Sequence, residues 1–270
     1  MGSELPLVDT VLTVERLTLW FSGLVAIDGV SFSLRAGELL GIIGPNGAGK
    51  TSVLNCINGF YHPQTGRILF AGRDITRLPA HRRAHRGIGR TFQNIALYPG
   101  MSALANIMSG RLIHMRGGVL AGGVYWGGAE REILRHRAKV EEIIDFLEIE
   151  EHRSHRVAEL PYGIQKKVEL GRALAMEPAL LLLDEPMAGM SAEEKADMAR
   201  YILELREVRG LPMILIEHDM GVIMDLCDRL IVMDYGKKIA EGPPQQIQHH
   251  PEVIRAYLGE EHAALAGETA

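Results

Sequence analysis

The sequence has few cysteines and no long apolar run, and both absences restrict what the protein can be. Its only two cysteines in 270 residues, Cys56 and Cys227, follow apolar patterns. We interpret them as reduced core thiols of a cytosolic protein, not as a disulfide or a metal-binding pair. No stretch approaches the roughly 20 apolar residues needed to cross a bilayer. The N-terminus has no basic region followed by an apolar run, so we expect no signal peptide. Any work at a membrane should therefore depend on partners.

The composition also gives no sign of a nucleic-acid-binding protein. The net charge is −5, with 47% hydrophobic and 23% charged residues. These values are typical of a soluble globular protein. The chain has no excess of positive charge that would attract a phosphate backbone. The length suffices for one large α/β domain, or for such a domain with an added lobe.

The strongest motif lies at residues 44–51, which match G-x-x-x-x-G-K-[ST] at every fixed position. A short apolar strand over 38–43 precedes it, and residues 52–57 have helical character. Glycines let the backbone wrap an anion, and the N–H groups of the loop and helix start point at phosphates. Lys50 would approach the β- and γ-phosphates, while the Thr51 hydroxyl would ligate Mg²⁺. The predicted nucleotide-binding residues here are Gly44, Pro45, Asn46, Gly47, Ala48, Gly49, Lys50, Thr51 and Ser52.

Residues 11–35, which precede this loop, are predicted to form β structure. Apolar and polar residues alternate over 30–35, as in a half-buried strand. Phe21 has an aromatic ring that could stack on a nucleotide base, which requires only a π-face. The alternative is that Trp20 and Phe21 are ordinary strand and core residues.

Carboxylates and a histidine follow two apolar strands in the second half of the chain. Four leucines at 180–183 lead into Asp184 and Glu185. Such a run is typical of a strand buried on both faces, and ligands bind at the carboxyl ends of parallel strands. Asp184 suits a magnesium ligand, and Glu185 suits a general base for an attacking water. Another buried strand over 213–216 leads to His218, which could bond a γ-phosphate, although a lone strand-end histidine is more often structural.

The middle of the chain gives weaker signals. An arginine-rich run over 77–90 contains His81 and His85 at i,i+4 spacing, but a solvated basic face is a better interpretation than a metal site or an RNA-binding patch. Gln93 follows an apparent strand and could bind a metal ion or water. Residues 99–178 are mostly helical, and 129–149 carry an amphipathic stripe: Ile133, Val140, Ile144 and Leu147. We interpret the glycine-rich segment 116–128 as a loop, with a membrane-surface or partner contact as the minority alternative.

Two later segments complete the order of parts. Residues 160–165 form a loop that introduces a helix over 164–175, a second potential anion site. Ser191 and Glu194 predict a capping box at the start of a further helix. Residues 229–239 are expected to form a hairpin across Gly236, followed by a helix around 252–258 and a flexible tail over 259–270.

In this order, the motifs resemble those of the ATP-binding subunits of ABC transporters, and the resemblance covers nearly the whole chain. Phe21 resembles the base-stacking aromatic, Gln93 the Q-loop glutamine, residues 160–165 the signature loop, and His218 the switch histidine. The stretches 55–61, 90–94, 160–163 and 253–259 look most like the longer ATPase subunit of branched-chain amino-acid importers. The resemblance implies a P-loop α/β core with an N-terminal antiparallel β subdomain and an inserted helical subdomain over about 91–178, within one domain spanning 9–258.

The resemblance also implies a working assembly. Two ATPase subunits, commonly different and in some systems identical, would enclose ATP and Mg²⁺ between one P-loop and the partner's signature loop, with Gly163 acting in trans. They would drive two membrane-spanning permeases from the cytoplasmic face, supplied by an extracytoplasmic solute-binding protein. Glu185, His218, Lys50 and Gln93 would be catalytic, with Thr51, Gln93 and Asp184 at the metal. No nucleic-acid partner is expected.

The signature loop departs from the commonest Leu-Ser-Gly-Gly-Gln pattern of the family. Pro161 replaces the serine, Tyr162 replaces a glycine and Ile164 replaces the glutamine. We expect the trans contact to rest on backbone N–H groups and the helix dipole. Three alternatives remain from the sequence: an ABC ATPase for urea, amides or lipid; a non-transport ABC ATPase; and a scaffold that binds ATP without significant turnover.

Overall fold

The computed structural model describes residues 10–92, 95–115 and 128–257, and forms two sheets. The strands are β1 Thr10–Phe21, β2 Leu24–Arg35, β3 Leu39–Ile43, β4 Thr65–Phe70, β5 Arg73–Asp74, β6 Ile88–Arg90, β7 Leu180–Asp184, β8 Met213–Ile216, β9 Arg229–Asp234 and β10 Lys237–Gly242. The first sheet is antiparallel, in the order β2-β1-β4-β5. The second has the order β10-β9-β3-β8-β7-β6, and all its pairs are parallel except β10 with β9.

Helices accompany these sheets in the same described ranges. They are α1 Lys50–Asn58, α2 Ala80–Ala84, α3 Ala103–Gly110, α4 Gly128–Phe146, α5 Tyr162–Leu174, α6 Ala192–Glu207, α7 Met220–Leu226 and α8 Pro244–Ile247. Residues 251–257 are also helical, and short 3-10 turns occur at Arg111–His114, Glu150–His152 and Val157–Glu159. Within the described ranges, none of the helices combines the length and apolarity required to cross a bilayer.

The first sheet confirms the β structure predicted for residues 11–35. Leu12 and Val14 are buried on one face of β1, and Leu17 and Leu19 continue that face after a register shift. Arg16 lies at the shift with φ of +44°, as expected where an extra residue interrupts a ladder. The bulge is the reason why the buried positions change from even to odd residue numbers along one strand.

The second sheet brings the motif-bearing strand ends to one edge. Every residue of β3, β7 and β8 is buried, which confirms the prediction for the apolar runs. Because β8 lies between β3 and β7 and all three are parallel, their carboxyl ends are adjacent. The residues that follow these strands are the predicted site residues.

The alternation of side chains along β3 separates two cores. Leu40 and Ile42 belong to a cluster with α1 and the antiparallel sheet. Leu39 and Ile43 belong to a cluster on the opposite face, which includes residues of α3 to α7. The helical region after residue 99 therefore packs on the same sheet that carries the motifs, and it shares a continuous core with it.

The stripe predicted for the long helix is wrong at one position. Val140, Ile144 and Leu147 are fully buried, whereas Ile133 is 42% exposed. Side chains at 131–139 are exposed or half-buried, because the core contacts of α4 with α3 and α5 begin near Val140. Between Ile133 and Val140 the stripe is interrupted by His136 and Arg137, and among the residues described in α4 the buried positions begin at Val140.

The arginine-rich run is a solvated face only in part. Arg77, Arg82 and Arg86 are exposed, as predicted, but Arg83 and Arg90 are buried. Arg83 donates to four backbone carbonyls, those of Cys56, Ile57, Thr76 and Leu78, two of them in the last turn of α1. Burial lowers the pKa of the Arg83 guanidinium to about 10. Its role is to satisfy buried backbone acceptors.

Candidate nucleotide-binding site

The loop between β3 and α1 is shaped by glycines in backbone conformations that other residues rarely adopt. Gly44 has φ of +142° and Gly49 has φ of +99°. A Cβ atom on Gly44 would collide with the carbonyl oxygen of Met233, and one on Gly49 with that of Ala26. The turn is therefore held closely against its neighbours. The helix α1 begins directly after it at Lys50, so that its first N–H groups have no intrahelical partner and are available to an anion.

Lys50 is held in place by the loop that it follows. Its Nζ donates to the carbonyl oxygens of Gly44 at 2.6 Å and Pro45 at 2.9 Å, and the side chain is buried. Gly44 and Pro45 were predicted to contact nucleotide, but they do not line the cleft described below. Their carbonyls instead position the ammonium group of Lys50.

A cleft of about 470 Å³ opens above this loop. Its lining includes Asn46, Gly47, Ala48, Gly49, Lys50, Thr51, Ser52, Phe21, Tyr235, Glu185 and His218. One cavity thus joins the loop of the first half of the chain with the strand-end acid and histidine of the second half. Backbone N–H groups, an ammonium group and an aromatic wall are the groups that a nucleoside triphosphate needs.

Phe21 lies at the tip of the β1–β2 hairpin, where Ser22 and Gly23 both have positive φ. It is 42% exposed, and its ring meets the edge of the Tyr61 ring at 5.0 Å. Because it is half-exposed and borders the cleft, Phe21 is a strand residue but not a core residue. A π-face at the mouth of the cleft is available to a base.

Glu185 and His218 form a pair at the centre of the cleft. His218 Nε2 lies 2.8 Å from Glu185 Oε1. Glu185 is 8% exposed and has φ of +50°, a strained value for a residue with a Cβ. Its N–H donates to the carbonyl of Ile216 at 2.9 Å, which ties the end of β7 to the end of β8. Two neighbouring strand ends therefore fix the carboxylate and the imidazole together.

Glu217 is a second buried acid beside this pair, and it was not among the predicted site residues. Its carboxylate accepts the N–H of Met187 at 2.7 Å and that of His218 at 3.3 Å. Burial raises the pKa of Glu217, and the nearby charge of Glu185 raises it further. Glu217 holds the backbone on both sides of the Glu185–His218 pair, and it does not line the cleft.

Asp184 and Thr51 bring two oxygen atoms together below the cleft. Thr51 Oγ1 lies 3.5 Å from Asp184 Oδ1, and Asp184 is 1% exposed. Its other oxygen, Oδ2, accepts from Arg90 Nη2 at 2.8 Å. A hydroxyl and a carboxylate oxygen suit Mg²⁺, which commonly takes one or two protein oxygens and completes its shell with water and phosphate. The residues present therefore fit a magnesium ion.

The comparisons with known proteins agree with this geometry. Residues 27–188 match the family described as ABC transporter, and residues 237–263 match the family described as branched-chain amino acid ATP-binding cassette transporter. The chain belongs to the ABC transporter family. This cassette is 38% identical over 253 residues to the high-affinity branched-chain amino acid transport ATP-binding proteins BraF of Pseudomonas aeruginosa and LivG of Escherichia coli, covering 93% of this chain and 98% of each relative. It is also 32% identical to the lipopolysaccharide export system ATP-binding protein LptB of Haemophilus influenzae, with 93% and 98% covered.

Solved structures agree with the fold of the cassette. A nucleotide-free ATP-binding cassette from an ABC transporter superposes with a TM-score of 0.80 at 32% identity, covering 92% of this chain and 98% of that one. The ADP conformation of an ATP-binding cassette superposes equally well, with a TM-score of 0.80 at 33% identity, covering 93% and 99%. The predicted P-loop α/β fold is thereby confirmed.

The signature loop of this cassette lies away from its own cleft. Residues 160–165 contribute none of the described lining, and α5 begins within them at Tyr162 with Pro161 as its N-cap. Gly163 lies in the first turn, and a Cβ atom there would collide with the carboxylate of Glu194. Glu194 is held by the predicted capping box with Ser191, so the space beside Gly163 is already filled. The start of α5 therefore does not belong to the lining of this chain's own cleft.

The residue just before Gln93 contacts α5. Gln93, predicted as a catalytic and metal-binding residue, lies outside the described residues, as does most of the glycine-rich segment 116–128. Just before Gln93, the Phe92 N–H donates to Glu169 Oε1 of α5 at 3.2 Å. Burial raises the pKa of Glu169. The described neighbours of Gln93 are thus tied to the helix that follows the signature loop.

Besides Glu217, further residues of the site region were not among the predicted site residues. Arg90 contacts Asp184, and Tyr235 and Val25 line the cleft. Arg90 belonged to a run interpreted as surface, and its position two residues after an apolar position of β6 was the available signal. Val25 lies near the start of β2 and Tyr235 in the turn between β9 and β10, and nothing in their sequence pattern distinguishes them from other residues at such places.

Proposed function

We propose that this chain is an ATP-hydrolysing subunit that drives a branched-chain amino-acid importer. The observation that carries the proposal is the single cleft that joins the P-loop with the Glu185–His218 pair. The 38% identity to BraF and LivG over 93% of the chain supports the choice of solute class. We further propose that residues 9–258 form one cassette, with a helical subdomain over about 91–178; the predicted tail over 259–270 lies outside the described residues.

ATP would enter the cleft with its phosphates on the P-loop and its base beside Phe21. The N–H groups of Gly47, Gly49 and the first turn of α1 are the proposed phosphate donors. Lys50, whose ammonium group is positioned by two loop carbonyls, would place a positive charge near the β- and γ-phosphates. Binding would replace water by donors that are already oriented.

Hydrolysis would proceed by in-line attack of a water on the γ-phosphate. Glu185 would accept the proton of that water, and His218, 2.8 Å from Oε1, would orient the carboxylate and contact the γ-phosphate. The half-exposed position of His218 leaves it accessible to the phosphate. The strained backbone at Glu185 supports a functional role, because such strain persists where the surrounding structure enforces it.

Thr51 and Asp184 would hold Mg²⁺, with Gln93 as a further proposed ligand. A magnesium ion in this position supplies positive charge to the β- and γ-phosphate oxygens. With Thr51 Oγ1 and Asp184 Oδ1 only 3.5 Å apart, one ion would be able to contact both oxygens. The chain's own contribution is to fix these oxygens on α1 and β7, two rigid elements.

The complete site would require a second ATPase subunit. The proposed trans group, the backbone around Gly163 at the start of α5, lies away from the local cleft and would meet the nucleotide of a partner. Without the serine of the common signature, the contact would rest on N–H groups and the helix dipole. Slow turnover by the isolated chain and faster turnover in the assembled pair are therefore expected.

The proposed partners are a second ATPase, different or identical, two transmembrane permeases and an extracytoplasmic solute-binding protein. The cassette would act at the cytoplasmic face of the cell membrane through the permeases. A nucleotide-binding subunit does not touch the solute, so the solute class is supported by relatedness and not by the cleft.

The proposal is tested by co-purifying the chain with its permeases and measuring uptake into proteoliposomes. We expect ATP-dependent uptake of labelled leucine, isoleucine or valine, and loss of uptake in the matched complex with Glu185→Gln. ATP-dependent uptake of labelled urea, a short amide or lipid, but not of branched-chain amino acids, would assign a different solute. An ATPase rate equal to background in the intact complex would favour a nucleotide-gated scaffold.

A further inference from the structure

A buried network joins Asp184 to two other elements through Arg90. The Arg90 guanidinium, at the end of β6, donates from Nη2 to Asp184 Oδ2 at 2.8 Å and from Nη1 to Asn55 Oδ1 at 2.6 Å. Its Cζ lies 5.2 Å from the centre of the Phe92 ring. Arg90 is 9% exposed and Asp184 is 1% exposed, so both charges are removed from water and each needs the other. The network therefore connects the end of β7 with α1 and with the residue just before Gln93.

The two oxygens of Asp184 have separate neighbours. Oδ2 is bonded to Arg90, whereas Oδ1 faces the Thr51 hydroxyl at 3.5 Å. The planar guanidinium reaches Asp184 and Asn55 at once because its N–H groups form a rigid fork. The buried Nε of Arg90 has no hydrogen-bond partner within the described part of the chain. The guanidinium therefore bonds Asp184 and Asn55 while its Nε–H remains unsatisfied.

We propose that Arg90 is the positioning residue of the magnesium ligand Asp184. By holding Oδ2, it fixes the rotation of the carboxylate and directs Oδ1 towards the Thr51 side, where the metal would be held. Its hydrogen bond to Asn55 of α1 keeps the end of β7 and the P-loop helix in a fixed relative position. The inference rests on the proposed metal role of Asp184 and Thr51, and it extends that role to a residue that would not touch the metal. Hydrogen-bond partners of this kind fix the orientation of a metal ligand.

The inference is tested through the linkage between magnesium and nucleotide binding. For the full-length chain, the Kd of a fluorescent ATP analogue is measured with EDTA and again with saturating Mg²⁺. The ratio of the two values gives the gain in affinity that the metal supplies. The variants are Arg90→Met, Arg90→Lys and Asn55→Ala, with Asp184→Asn as the reference for loss of the metal ligand. Arg86→Met is the matched control, because Arg86 is an exposed arginine of the same run.

We expect Asp184→Asn to abolish the gain and Arg90→Met to reduce it about tenfold or more, the usual effect of removing a partner of a metal ligand. Arg90→Lys keeps the positive charge and the fold but cannot bond Asp184 and Asn55 as a fork, so the gain should fall several-fold. Asn55→Ala should act in the same direction. The Kd in EDTA should stay within about twofold of wild type, and Arg86→Met should change neither value.

Two results overturn the inference in distinguishable ways. If Asp184→Asn abolishes the gain but both folded Arg90 variants keep it, Arg90 does not position the ligand. A parallel rise of both Kd values with an unchanged ratio has the same meaning, since it indicates a general structural role. If wild type shows no gain, or Asp184→Asn keeps it, the proposed metal site fails and this inference fails with it. Thermal unfolding of each variant identifies those that do not fold, and the lysine and Asn55 variants then decide the question.

Discussion

Replacing Glu185 by glutamine tests the chemistry of the site with almost no change of shape. Glutamine is isosteric, and its amide can still contact His218 Nε2 across the present 2.8 Å. What it loses is the capacity to accept a proton from water. A general base contributes about 10²- to 10⁴-fold to a rate. At about 1.4 kcal/mol for each factor of ten, this loss raises the barrier by about 3–5 kcal/mol.

The same substitution should not weaken the fold. The charge of Glu185 raises the pKa of the buried Glu217, which means that it opposes the ionised form of that neighbour. Removing the charge lowers the pKa of Glu217 towards its ordinary value. The ionised form of Glu217 then destabilises the folded state less at pH 7. We therefore expect Glu185→Gln to unfold at the same temperature as wild type or higher.

The assay combines ATP hydrolysis in the assembled complex with nucleotide binding by the same preparation. Glu185→Gln should reduce the rate about 100-fold or more while the Kd of ATP stays near that of wild type. Glu193→Gln, an exposed acid in the first turn of α6, is the matched control and should hydrolyse normally. Wild-type turnover by Glu185→Gln would remove Glu185 from its proposed role, and a parallel loss of binding would indicate damage to the cleft.

Three further predictions address other parts of the molecule. Pro161→Ser should raise turnover or apparent ATP affinity in the complex about 2- to 10-fold by restoring one neutral hydrogen bond, worth about 0.5–1.5 kcal/mol; unchanged kinetics would refute this. Burial raises the pKa of Cys56 and of Cys227 to about 12, so only about 10⁻⁴ of each thiol is ionised at pH 8. Ellman's reagent should therefore label both thiols slowly in the native protein and quickly in guanidinium. Tyr235 is 88% exposed, and Tyr235 and Gly236 have φ of +42° and +79°, values that an Asn-Gly turn favours. Tyr235→Asn should therefore raise the free energy of unfolding, measured in urea, by about 1 kcal/mol. A free energy of unfolding below that of wild type would contradict the turn assignment.

Much of the fold could be predicted because its signals are local. The apolar runs at 180–183 and 213–216 gave buried strands, and Ser191 with Glu194 gave the capping box that the structure contains. The hairpin across Gly236 was predicted from its turn residue. In each case, the residues that form the element also contain its pattern.

Predictions that depended on the neighbours of an element were less successful. The stripe on α4 predicted burial of Ile133, but that side chain is 42% exposed among the described residues. The basic run predicted a surface, yet Arg83 is enclosed by carbonyls at the end of α1 and Arg90 by Asp184 and Asn55. A helical or charged pattern does not say which face a distant segment will cover.

The sequence by itself was enough to propose the chemistry of this protein, because residues 44–51, Asp184, Glu185 and His218 are recognisable from their local motifs. Only the tertiary structure decided how that chemistry is held. The sheet order places β8 between β3 and β7, so that His218 reaches Glu185 across two strand ends. It also places the end of β6 beside β7, so that Arg90 reaches Asp184. These pairs are 33 and 94 residues apart along the chain, and sheet pairing alone brings them together.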